Sequence, residues 1–117
     1  MSISNKPLLW LPFAAGGMLA ALLVPAVMMA FLLDSLHLLA SADLEYARVL
    51  AFAGHPLARI ALFGIIALLL WHAAHRLRMT LQDLGVRTPG ARHLSARLCY
   101  GAASAGTMAL GWAVLAL

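Results

Sequence analysis

One short stretch of this chain gathers together side chains able to do chemistry. Trp71-His72-Ala73-Ala74-His75-Arg76-Leu77-Arg78 places an indole N–H, two imidazoles and two guanidiniums within about two helical turns. Trp10 and Phe13 stand near the start of a separate apolar run. Together these residue types offer an aromatic wall, hydrogen-bond donors and positive charge. That combination suits a lipid quinone, whose tail stays in hydrocarbon while its ring carbonyls need donors near the membrane surface. Cationic donors also stabilise the negative charge that appears as the ring is reduced.

Each residue alone has a plainer reading. Tryptophan at a membrane interface is usually a belt anchor, and arginine after a span usually fixes topology. Only the convergence of the two stretches makes a site. His72 and His75 are three apart and share a helix face, so haem ligation is the competing chemistry. A bis-histidine haem needs a second ligand from another helix, and His37, His55 and His93 all lie outside the apolar runs. Haem is therefore the less favoured reading, and those three histidines receive no role. No ionisable residue occupies the centre of any run, which counts against proton- or ion-coupled transport.

The elements that must position these residues follow from hydropathy. Of 117 residues, 64% are hydrophobic and 10% charged, too apolar for a soluble domain of this size. Leu8 to Leu33 contains no Asp, Glu, Lys, Arg or His. About 20 helical residues cross the roughly 30 Å of bilayer hydrocarbon. Backbone in lipid must satisfy its own hydrogen bonds, so helices or a closed barrel are required. Continuous rather than alternating runs select helices. The expected fold is an all-α membrane protein, a single membrane-anchor domain over 1–117, with three transmembrane helices at about 8–33, 57–75 and 98–117. Lys6 before an apolar run looks like a signal peptide, but the run exceeds the roughly 7–15 residues of an h-region, so a retained span is expected.

A short interfacial helix is expected between the first and second spans, over 43–52. Asp43 and Glu45 would sit in its first turn, favourable for the helix dipole. Leu44, Ala47, Leu50 and Ala51 give it an apolar stripe, and Gly54-His55-Pro56 interrupts it. Pro25 should kink the first span, and Gly16-Gly17 should let another backbone approach. Arg59 should snorkel outward. Gly85, Pro89 and Gly90 mark a loop. In the third span Gly101, Ala105, Ala109 and Ala113, with Ala102 and Gly106 beside them, form a small-residue ridge. Cys99, the only cysteine, should pack as a small apolar residue.

The formal charge of +4 does not point to nucleic acid. The excess sits between the second and third spans, where insertion rules alone place arginine. The N-terminus and that loop carry Lys6, Arg76, Arg78, Arg87, Arg92 and Arg97, whereas the first loop carries Arg48 and Arg59 among acids. The N-terminus should therefore be cytoplasmic and the C-terminus outside.

Three stretches carry a family resemblance: Trp10 to Met18 (WLPFAAGGM), Leu44 to Phe52 (LEYARVLAF) and Leu70 to Leu84 (LWHAAHRLRMTLQDL). In their order and spacing the chain resembles the D subunit of fumarate reductase, over nearly its whole length. The resemblance implies a non-catalytic anchor subunit of quinol:fumarate reductase in the bacterial inner membrane, its C-terminus periplasmic. It implies a second membrane anchor (the C subunit), a flavoprotein and an iron–sulfur protein as partners, in anaerobic fumarate respiration. A menaquinone site near the cytoplasmic face is implied too. Carried over by position, Trp10 and Phe13 match the pocket wall, Arg76 the pocket arginine, and His75 is shared. Ala14 replaces a glycine near the pocket, and Arg78-Met79 stand where the family pattern has two histidines, one of them a pocket residue. The alternatives are a purely structural anchor, or a b-haem-binding anchor of a succinate dehydrogenase.

Overall fold

In the computed structural model, residues 6–38 and 45–117 are described, apart from the side chains of Lys6, Leu8 and Leu9. Four helices follow one another: α1 (Lys6–Ser35), α2 (Tyr46–Gly54), α3 (Pro56–Asp83) and α4 (Pro89–Ala116). The helices α1, α3 and α4 are each long and apolar enough to cross a membrane, and α2 is the expected short helix between the first two. α1 runs continuously as helix through Pro12 and Pro25.

Helix ends are set by local chemistry rather than by hydropathy. α3 and α4 each place proline at the first helical position, where its missing N–H costs nothing. The His55 and Thr88 side chains cap them, accepting from the amides of Leu57 (3.3 Å) and Ala91 (3.4 Å). α3 continues to Asp83 and α4 begins at Pro89, so both helices extend beyond the apolar runs. Arginine, leucine, methionine and glutamine are good helix formers, and nothing between His75 and Asp83 breaks the backbone ladder. Pro89 and Gly90 thus belong to the first turn of α4 rather than to a loop. α2 starts at Tyr46 and has no acid in its first turn: Glu45 stands in extended conformation at the N-cap, its carbonyl accepting from Arg48 and Val49 amides. Asp43 and Leu44 lie outside the described residues.

Two helix C-termini close with the same hydrogen-bond pattern. After α1, the Leu38 amide donates to Leu33 (2.9 Å) and the His37 amide to Asp34 (2.9 Å). After α3, the Val86 amide donates to Leu81 (3.0 Å) and the Gly85 amide to Gln82 (3.2 Å). This pattern needs a left-handed residue, supplied by His37 (φ 57°) and Gly85 (φ 109°).

α3 is the hub. α1, α2 and α4 all pack on it, while α1 and α4 approach each other only marginally. Both long seams are built from small residues, as expected where lipid removes the hydrophobic drive and close packing must hold helices together. On the α1 side, a Cβ added to Gly16 would lie 2.5 Å from the Leu68 carbonyl oxygen and 2.8 Å from the His72 Cβ. On the α4 side, Ser95, Cys99 and Ala103 are buried together with Ala74. Cys99 packs as a small apolar residue, as expected. The Gly101–Ala105–Ala109–Ala113 ridge, by contrast, faces outward and is exposed. Arg59 is half-buried, with its Nε shielded and unpartnered among the described residues.

Candidate functional site

The antiparallel crossing of α1 and α3 brings the start of one helix to the end of the other. On α1, Trp10, Phe13, Ala14 and Gly17 fall at i, i+3, i+4 and i+7. On α3, His72, His75, Arg76 and Met79 repeat that spacing, so each set lies along one helix face. The faces meet through rings. Phe13 stacks on His72 (centroids 4.6 Å apart, planes at 17°) and meets His75 edgewise (4.6 Å, 62°), and Trp10 meets Phe13 edgewise (5.5 Å, 81°).

His72 is locked in this contact. Its Nδ1 lies 2.9 Å from the Phe13 carbonyl oxygen, which can only accept, so Nδ1 carries the proton. Its ring covers Gly17, whose added Cβ would come within 2.7 Å of the ring carbon Cε1. The glycine pair, the stacked phenyl and the carbonyl together make His72 the joint between α1 and α3.

His75 faces the other way, to α4. Its Nδ1 is 2.8 Å from the hydroxyl of Tyr100, and that hydroxyl accepts from the Arg78 guanidinium at 3.2 Å. Trp71 stacks on the Tyr100 ring (5.9 Å, 24°), and the Arg78 guanidinium carbon is 5.6 Å from its centroid. A line of rings therefore crosses all three long helices at one depth: Trp10, Phe13, the two histidines, Tyr100 and Trp71.

Of the residues singled out from the sequence, Trp10, Phe13 and His75 are joined by direct ring contacts. Ala14, Arg76 and Met79 are exposed at the margin, and no hydrogen bond holds Arg76 among the described residues. Trp71 stands with Tyr100 on the α4 side rather than with Phe13. Tyr100 is the residue that sequence reasoning missed. Its depth was legible but its direction was not: the start of the third span returns to the same end as His75, and Tyr100 is the hydroxyl-bearing aromatic there. Arg78, read as a topology determinant and a substitute for a family histidine, is half-buried and bonded; its Nε and the Gln82 amide nitrogen are shielded donors without partners among the described residues. No group of three or more metal-ligating side chains occurs among the described residues. An apolar groove of about 570 Å³ between α3 and α4, bordered by Leu70, Leu77, Leu98 and Ala102, contains none of these site residues.

Residues 1–115 match the family model for the D subunit of fumarate reductase. The chain is 36% identical over 115 residues to the fumarate reductase D subunit of Mycobacterium tuberculosis, covering 97% of this chain and 90% of that one. It is 33% identical over 102 residues to the Vibrio cholerae D subunit (86% and 76% covered). For the Aliivibrio fischeri D subunit the figures are 31% over 106 residues (90% and 86%).

Proposed function

The chain belongs to the family of fumarate reductase D subunits, and on that premise we propose that it forms part of the menaquinol site of quinol:fumarate reductase. It is a multi-pass membrane-anchor subunit, working in a complex with other fumarate reductase subunits. In the proposed complex it sits beside a second anchor, the C subunit, and holds the iron–sulfur and flavoprotein subunits at the cytoplasmic face of the bacterial inner membrane. The lysine and arginine count puts the N-terminus inside and the C-terminus in the periplasm.

The observation that carries this reading is the meeting of Phe13 with His75 at the end of the bundle where Arg76 follows. The residues present fit a quinone ring. Trp10 and Phe13, set edge to face, supply an aromatic wall, the His75 Nε2 has no partner among the described residues, and Arg76 is exposed beside it. Ala14 and Met79, both exposed, border the same margin with apolar surface. When bound, the quinol supplies the reducing electrons and the protons released with them. Arg76 stabilises negative charge on the ring oxygen, more strongly where low dielectric surrounds it. His75 orients the ring through a hydrogen bond, and the aromatic wall excludes water.

Arg76→Leu tests this. The complex should assemble and keep fumarate reduction with a soluble dye donor. Quinol-linked fumarate reduction should fall by about 100-fold or more, the scale of losing one donor to a developing oxyanion. Undiminished quinol turnover would remove Arg76 from the site.

A further inference from the structure

We infer that Tyr100 is a positioning residue for the quinol site: it holds His75 in the Nε2–H tautomer, and Arg78 holds Tyr100. A guanidinium can only donate, so at 3.2 Å the Tyr100 oxygen accepts from Arg78. The hydroxyl hydrogen is then free for the other neighbour, the His75 Nδ1 at 2.8 Å. An Nδ1 that accepts leaves the proton of a neutral imidazole on Nε2.

The opposite arrangement, with Nδ1 donating, gives the Tyr100 oxygen two donors. Its own hydrogen is then left without an acceptor among the described residues. Tyr100 is half-buried, where an unpaired donor is costly. The ring cannot easily turn away, because Trp71 stacks on it and the Arg78 cation lies near its centroid. His72 supplies the contrast within one helical turn: facing a carbonyl that can only accept, it takes the Nδ1–H form. The two histidines are thus set in opposite tautomers by partners on opposite helices.

For the site this makes His75 a hydrogen-bond donor through Nε2, suited to a ring carbonyl. Tyr100 and Arg78 act only through His75. This rests on the quinol-site reading above for its consequence, but the tautomer is a property of the chain's own residues.

The test uses the assembled complex with histidine labelled in ¹⁵N, the His75 signals being assigned from His75→Gln. Tyr100→Phe removes only the hydroxyl and keeps the ring on Trp71. Arg78→Leu removes the donor that fixes the hydroxyl. In both variants His75 should shift from a single Nε2–H tautomer toward a mixture. The kcat for quinol-linked fumarate reduction should fall about 10-fold, the scale of losing a partner that orients a histidine, with dye-linked activity unchanged. An unchanged tautomer overturns the inference. So does a shifted tautomer with wild-type quinol kinetics. If His75→Gln and Arg76→Leu also keep wild-type quinol turnover, the quinol-site reading itself has failed, a result distinct from failure of Tyr100 alone.

Discussion

His72 shows how a residue with the chemistry of a ligand can serve as a structural joint. Its ring is held between Phe13 and Gly17, and its Nδ1–H is spent on the Phe13 carbonyl. His72→Phe keeps a flat ring but abandons that donor. Hydrogen bonds between membrane helices average about 0.6 kcal/mol and reach about 1.7, so the substitution should cost within that range in a denaturant titration in mixed micelles. The visible spectrum of the complex should not change in the same variant. Loss of b-type haem bands would make His72 a ligand and displace the structural reading. The pairing of Trp10 and Phe13 with the histidines was legible in sequence, because two antiparallel helices that span the same bilayer bring the start of one level with the end of the other. Tyr100 was not, because which face a third helix turns inward depends on its rotation. Ser95, Cys99 and Ala103 set that rotation, not the more regular glycine and alanine ridge that the sequence advertises.

At the scale of the element, the two like helix endings offer a controlled comparison. The C-terminus of α3 uses glycine for its left-handed residue, whereas the C-terminus of α1 uses His37. A side chain in that conformation costs roughly 1–2 kcal/mol. Gly85→Ala should therefore destabilise by about that much. His37→Gly relieves the same strain, offset by the roughly 0.5–1 kcal/mol of extra freedom glycine has when unfolded. It should be neutral or mildly stabilising. Opposite signs in matched titrations are the expected outcome; a marked loss in His37→Gly would show that its imidazole does something the helix end does not require. The existence and order of all four helices followed from hydropathy and from the Gly54-His55-Pro56 break. Their ends did not, because hydropathy marks where lipid begins while capping and proline mark where the backbone ladder stops. Arg76 and Arg78 are the consequence: lying on continuous helix, they have fixed directions, and Arg78 can reach Tyr100.

For the whole molecule, the arrangement around α3 decides how disturbances spread. The α1 seam closes at Gly16 against Leu68 and His72, and the α4 seam at Ala103 and Cys99 against Ala74. With α1 and α4 hardly in contact, the two seams share no partner at these points. Gly16→Ala and Ala103→Leu each overpack a seam and should cost about 1–3 kcal/mol. Their double variant should cost the sum, within about 0.5 kcal/mol. His75 is the exception, since it touches Phe13 on one side and Tyr100 on the other. Phe13→Ala and Tyr100→Phe should therefore be non-additive, by about 0.5 kcal/mol or more. Both pairs can be read in one double-mutant experiment on the purified protein. Stronger coupling between the two seams than across His75 would mean that α3 moves as a lever between its neighbours. Coupling confined to His75 would mean that the site residues, rather than helix packing, join the two halves of the anchor.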